Sequence, residues 1–279
     1  MIIRCFGSRG SVPVSGQPFL TYGGDTTCIE IKTSDNQVII IDAGTGICTA
    51  GNQLQQDNQD SCHLLFTHLH LDHIIGFPFF DLLYSGTSKI TIYSSVYLKK
   101  PIKSALSTIM NPPYFPFSFQ KIKAKLSFQK IQDDTFTIGS ACISTIQLNH
   151  PAGGIGFKIR EKDKCFVFLT DNELGEPYKN GHSFQTYRDF TSQADLLMHD
   201  AEFTPEEYNN RKHWGHTSYM DALYLALESG VKRFGLFHHH QQRTDAQIDA
   251  MVEKCRKYAA RTQSSVHCFA VASGFKIKL

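Results

Sequence analysis

Apolar residues along this chain fall into short runs bounded by polar or glycine-containing turns, which is the spacing of β-strands rather than of long helices. Runs at residues 2–6, 27–32, 38–42, 63–67 and 89–94 predict strands in the first third, with a polar helix-like segment at 45–56 and an apolar segment at 72–84. The middle adds expected strands at 124–131, 135–138, 142–148, 155–160 and 165–170. The last third alternates: strand 195–200, helix 218–229, strand 233–238, helix 245–260, then strands 267–271 and 275–279. In the segment 218–229, Ala222, Leu225, Ala226 and, nearly, Ser229 lie along one stripe, which is helical spacing. Many strands grouped with few helices predict an α/β (α+β) chain of two sheets with helices on their outer faces.

Four expected strands share a further feature. LFTHLH, FLTDN, LMHDAE and GLFHHH each run apolar and then deliver His or Asp at the C-terminal tip. One rim of the sandwich would collect these groups, since sites sit on loops held by a rigid scaffold. No linker, charge block or repeat divides the chain, so residues 1–279 are read as a single domain. Lys and Arg number 28 against 26 Asp and Glu, a net +2, so no chain-wide field draws the protein to nucleic acid or anionic lipid. No apolar stretch reaches membrane-spanning length and no signal peptide is visible, so a cytoplasmic protein without a membrane partner is expected. The eight cysteines form no C-x-x-C pair and read as reduced, mostly buried side chains. The thirteen histidines are the unusual count, because imidazole is the commonest metal ligand.

Their densest cluster is Thr67-His68-Leu69-His70-Leu71-Asp72-His73. In an extended segment His68, His70 and Asp72 alternate onto one face, and His73 turns with the chain into a following helix. Three imidazoles and a carboxylate at this spacing are a borderline-hard ligand set suited to zinc, manganese or iron. A solvated polar loop is the bland alternative, and four convergent ligand types directly after a strand weigh against it.

This motif resembles that of the metallo-β-lactamase superfamily. IDAGTG (41–46) precedes it, and His150, Asp171 and His238 follow in order, so the resemblance covers nearly the whole chain. It implies a four-layer αββα sandwich with two divalent metal ions, zinc foremost, at one rim. His68, His70 and His150 would hold one ion, and Asp72, His73 and His238 the other, with Asp171 bridging. Two divalent ions against two carboxylates and a bridging hydroxide leave one net positive charge, which attracts a phosphodiester locally. Such a pair clamps the attacking and leaving oxygens and lowers the pKa of bound water to about 7.

His70 favours a hydrolase over the flavodiiron oxidoreductases of the superfamily, which typically carry Glu at that position. His199-Asp200-Ala201-Glu202 and Gly215-His216-Thr217-Ser218 look similar to motifs of ribonuclease Z and its phosphodiesterase relatives. The resemblance implies that His216 protonates the leaving oxygen and that Asp200, here in place of Glu and one methylene shorter, orients it. Asp72, Asp200 and His216 are thus the expected catalytic residues; helix capping is the bland reading of the segment at His216. The tRNA-gripping arm of ribonuclease Z usually lies between the ligands matching His150 and Asp171, where this chain has only a short hairpin.

The expectation is a dinuclear phosphodiesterase acting on a small phosphodiester or nucleotide, a cyclic nucleotide foremost, and not on long nucleic acid, with a homodimer as a candidate assembly. A thioesterase or lactonase of the same fold, ribonuclease Z-like RNA processing, and an inert nucleotide binder are the alternatives. Asp42 is read as a carboxylate orienting a ligand histidine. The aromatic–proline loop 111–117 reads as a surface crossing or subunit contact before a lid. Trp214 is divided between packing and base stacking. The glycines of 7–13, 22–28 and 41–46 are divided between turn chemistry and anion binding. His239 and His240 receive no role, and His63, His182, His213 and His267 are read as ordinary.

Overall fold

Inward and outward side chains alternate along the central strands, and this alternation sorts the chain into layers. The computed structural model describes residues 1–96, 98, 100–179 and 181–279. The first sheet contains β1 (Ile2–Gly7), β2 (Cys28–Lys32), β3 (Val38–Ile41), β4 (Ser61–Leu65), β5 (Lys89–Ser95) and β6 (Lys125–Ile131). The second contains β7 (Thr135–Ile138), β8 (Ala141–Gln147), β9 (Ile155–Glu161), β10 (Lys164–Leu169), β11 (Leu196–Asp200), β12 (Arg233–Phe237) and β13 (His267–Ala270). The last strand, β14 (Lys276–Lys278), returns to the first sheet beside β1. The orders are β14-β1-β2-β3-β4-β5-β6 and β13-β12-β11-β10-β9-β8-β7.

Ile39, Ile41 and Leu65 point inward from the first sheet and meet Phe166, Phe168, Leu196, Met198 and Phe237 of the second. Their neighbours one residue along face outward. Val38, Ile40 and Leu64 pack on Ile47, Ala50 and Leu54 of α1 (Ile47–Gln56). Val167, Leu197 and Leu236 pack under α6 (Tyr219–Glu228) and α7 (Asp245–Arg261). The result is the expected helix–sheet–sheet–helix sandwich. Its eight cysteines are all free thiols. Among the described residues, no helix is long and apolar enough to cross a membrane.

Local differences from expectation have local causes. The strand expected at 63–67 runs instead over Ser61–Leu65, so the histidine motif begins beyond the strand. His70 is extended and caps the short helix α2 (Leu71–Ile74), which puts Asp72 as well as His73 in a helical turn. The alternation of His68, His70 and Asp72 on one extended face therefore stops at His70. The apolar segment 72–84 is this helix followed by two 3₁₀ turns that bury Phe77, Leu82 and Leu83. Three further helices carried no clear periodic stripe: α3 (Ile102–Ile109), α4 (Phe184–Thr191) and α5 (Pro205–Tyr208). Each is short; α4, for example, buries only Tyr187 and Thr191 behind a Ser183 cap.

Strand direction places the site. β3 and β4 run parallel, as do β10, β11 and β12, so their C-terminal tips open on one rim. β8 and β9 are antiparallel, and the turn between them reaches the same rim. The two sheets are stitched there by a bridge between Arg9 and His239, in which Gly10 N donates to His239 O at 2.9 Å and His239 N to Ser8 O at 3.0 Å. The buried Arg9 guanidinium donates to the carbonyls of Gly23 (2.8 Å) and Arg243 (2.9 Å), which ties the loop after β12 to the segment after β1.

Phe168 is fully buried between the sheets, edge-on to Phe237 at 5.0 Å between ring centroids. Phe168→Ala is expected to lower unfolding free energy by about 3–5 kcal/mol, read from urea midpoints at unchanged slope. A loss under about 1 kcal/mol would show that this layer is not the shared core.

Candidate metal centre

Seven side chains converge at the rim. His68, His70, His150 and Asp171 form one group of mutually close ligand atoms, and Asp72, His73 and His238 form another. Asp171 lies between them. Its Oδ2 is 3.5 Å from His68 Nε2, while Oδ1 is 3.2 Å from His73 Nε2 and 3.3 Å from His238 Nε2. Asp72 Oδ2 lies 3.3 Å from His73 Nε2 and 3.2 Å from His238 Nε2. His150 Nε2 and His70 Nδ1 approach to 3.2 Å. The first sheet thus supplies His68 to His73 and the second supplies His150, Asp171 and His238.

The surrounding hydrogen bonds decide which nitrogen of each ring is free. Thr67 donates through N and Oγ1 to Asp42 at 2.8 and 2.7 Å, so the Thr67 oxygen can accept from His68 Nδ1 at 3.1 Å. His73 Nδ1 donates to Asp42 Oδ2 at 2.8 Å, the orienting contact expected of Asp42. His150 Nδ1 donates to Gly215 O at 3.1 Å, and His238 Nδ1 to Glu202 Oε2 at 3.1 Å. In all four rings Nδ1 is engaged from outside and Nε2 faces the centre. His68 Nε2 and His73 Nε2 are buried with no hydrogen-bond partner. Buried polar atoms are rarely left so, and a cation facing each ring would satisfy them. The residues fit a pair of divalent ions with nitrogen and oxygen ligands.

Burial and charge act differently across the cluster. Burial holds His150 down at about 4 and pushes His68 well below its usual range, so both rings are neutral. Burial also disfavours charge on His73 and His238, but Asp72 and Asp171 next to His73, and Asp171 next to His238, outweigh it and hold both rings protonated. Asp171 resists burial through His238 and His73 and stays ionised.

Beside the cluster stands His216, whose Nδ1 donates to Asp200 Oδ2 at 2.6 Å. Glu202 Oε2 is 3.2 Å from the same nitrogen. Burial opposes the charged ring, but Glu202 and Asp200 together raise His216 to about 9. The shorter Asp200 therefore reaches its partner. Glu202 has no assigned role in the sequence reading, yet it touches both His216 and His238. Its signal was a second acidic residue two positions after Asp200, where the chain leaves the strand. Asp42, Asp200 and Glu202 add three buried carboxylates that a count of ligands alone omits, and they offset the positive excess of two ions.

Two glycines exist for close approach. A Cβ at Gly215, at φ +88°, would overlap the His150 ring, and one at Gly10 would overlap His238. The 7–13 segment acts at the site through Ser11 N, which donates to Asp72 Oδ2 at 2.9 Å, and through that close approach. Phe115 of the aromatic–proline loop packs edge-on against Phe79 at 5.4 Å, beyond α2. His239 is buried on Val271 O at 2.8 Å, and His240 lies 3.9 Å from Glu202. His63 bonds Tyr93 at 3.1 Å, on the strand that precedes the cluster.

Zinc uptake at pH 7 is expected to release protons, because His73 and His238 carry them in the metal-free protein. Affinity should therefore weaken as pH falls from 8 to 6, read by calorimetry in buffers of different ionisation enthalpy. Asp42→Asn should weaken uptake by about 10–100-fold in chelator competition, with the far-ultraviolet spectrum unchanged. Unaltered affinity would remove Asp42 from the site's support.

Comparison with known proteins follows the same lines. The Beta-lactamase superfamily domain model matches residues 37–239. Ribonuclease Z of Prochlorococcus marinus (strain MIT 9515) is 26% identical over 273 residues, covering 80% of this chain and 85% of that protein. The metallo-beta-lactamase fold protein YhfI from Bacillus subtilis superposes with TM-score 0.70 at 18% identity, covering 99% of this chain and 98% of YhfI. Unliganded yeast PDE1 gives TM-score 0.69 at 14% identity, covering 100% and 99%. The chain belongs to the beta-lactamase superfamily and is a hydrolase of the metallo-β-lactamase fold.

Proposed function

We propose that this hydrolase is a dinuclear phosphodiesterase, with zinc as the first candidate metal, that cleaves small phosphodiesters, cyclic nucleotides foremost. The observation that carries the reading is the Asp200–His216 pair at 2.6 Å beside the seven-ligand cluster. In this reading His68, His70 and His150 would hold one ion and Asp72, His73 and His238 the other, with Asp171 standing between the two groups. When bound, such a pair supplies Lewis acidity toward water and the phosphoryl oxygens.

The remaining chemistry belongs to the chain. Hydrolysis forms a bond from a water oxygen to phosphorus and breaks the ester P–O bond, so the departing alkoxide needs a proton. His216 is protonated at neutral pH and its Nδ1 is fixed by Asp200, which leaves Nε2 to deliver that proton. Glu202 keeps the ring charged before transfer and at the same time fixes the tautomer of His238. Asp42 does the same for His73.

A small substrate is supported by what lies between His150 and Asp171. β9 and β10 form a tight antiparallel hairpin joined by Lys162 and Asp163, with Lys162 in the left-handed region at φ 55°. No arm able to grip a polymer is inserted there.

His216→Ala should slow hydrolysis of an alkyl or cyclic phosphodiester by about 10²–10⁴-fold, and much less when nitrophenolate leaves, since that group departs without a proton. Equal losses on both substrates would remove the proton-donor role. Activity that survives complete chelation, or that appears on acyl esters alone, would overturn the phosphodiesterase reading.

A further inference from the structure

The catalytic reading leaves unused the chain's only tryptophan, which lies two residues before His216. Trp214 is 60% exposed, although an aromatic side chain of that size gains stability from burial. Its exposure is built in. The backbone on either side is clamped by one buried carboxylate: Glu173 accepts from His213 N at 2.8 Å and from Gly215 N at 2.9 Å. Glu173 is itself held by the hydroxyls of Tyr178 (2.6 Å) and Tyr208 (2.8 Å). The indole therefore projects from a fixed loop and cannot fold back without breaking that clamp.

A guanidinium stands beside it. Arg211 lies 5.2 Å over the Phe203 ring and 6.0 Å from the Trp214 ring centroid. Its polar side-chain contact is a long bond to the Glu207 carbonyl at 3.4 Å, and no carboxylate pairs with it among the described residues. Phe203 in turn packs edge-on to His216 at 5.9 Å. Arg211 thus sits between the exposed Trp214 ring and the buried Phe203 ring, which backs the proposed proton donor. Trp214 and His216 flank Gly215, so the indole and the proposed proton donor leave the same short loop.

We infer that Trp214, with Arg211, is a binding platform for the nucleobase of a mononucleotide substrate. The base stacks on the exposed indole, and Arg211 adds a cation beside it. The placement of the phosphate rests on the phosphodiesterase reading above; the stacking of a base does not.

Because Trp214 is the only tryptophan, its fluorescence reports the platform directly. Metal-loaded protein, excited at the red edge of indole absorption, is titrated with AMP, GMP, ribose 5-phosphate and a short RNA oligonucleotide. Saturable quenching by AMP and GMP, with none by ribose 5-phosphate, is the expected result. Trp214→Ala should raise KM for a cyclic nucleotide about tenfold or more, with a smaller change in kcat, and Trp214→Phe should restore part of the loss. Equal quenching by ribose 5-phosphate, or an unchanged KM in Trp214→Ala, would overturn the platform. Quenching by RNA at far lower concentration than by AMP would overturn the mononucleotide as its occupant. Saturable nucleotide quenching without any phosphodiester hydrolysis would keep the platform and remove the enzymatic reading. Hydrolysis of cyclic nucleotides without quenching would do the reverse.

Discussion

Asp171 leaves β10 in the left-handed region, at φ 50°, and its carboxylate sits buried between His68 on one side and His73 and His238 on the other. An ionised carboxylate this deep is tolerable only because cationic groups surround it. In the metal-free chain those cations are the protonated rings of His73 and His238, while His68, kept neutral by burial, has an Nε2 without a hydrogen-bond partner. A pair of divalent ions would resolve both problems at once, by replacing the protons of His73 and His238 and by taking up the His68 Nε2 lone pair.

This arrangement depends on an outer ring of neutral and acidic partners. Asp42 with Thr67, the Gly215 carbonyl, and Glu202 each take an Nδ1 proton, so four imidazoles present the same atom inward. Glu173 serves the ring indirectly. By clamping 213–215 it sets the Gly215 carbonyl that orients His150 and the segment that carries His216. One buried carboxylate thereby couples the proposed ligand His150, the proposed proton donor and the exposed Trp214. Arg9 and the Arg9–His239 bridge do comparable work below His238.

The seven converging side chains were legible because most of them lie in one contiguous motif or at strand tips, where local pattern and strand direction suffice. The alternation of apolar residues likewise placed both sheets, and the close approach of Asp200 to His216 followed from two short motifs. The outer ring was far less legible. Glu173 and Glu202 acquire their partners only when loops tens of residues apart meet, and nothing local separates them from surface acids. The extended reading of Asp72 failed because His70 caps a helix there. α3 and α4 went unseen because each buries only two residues, too few for a periodic stripe.

The central claim is that these seven residues form one cage for two ions, divided at Asp171. Anomalous diffraction at the zinc edge, from crystals grown with zinc, tests it most directly. The expected map has two peaks, one on each side of the Asp171 carboxylate, the first among His68, His70 and His150 and the second among Asp72, His73 and His238. A single peak, or zinc bound away from Asp171, would contradict it.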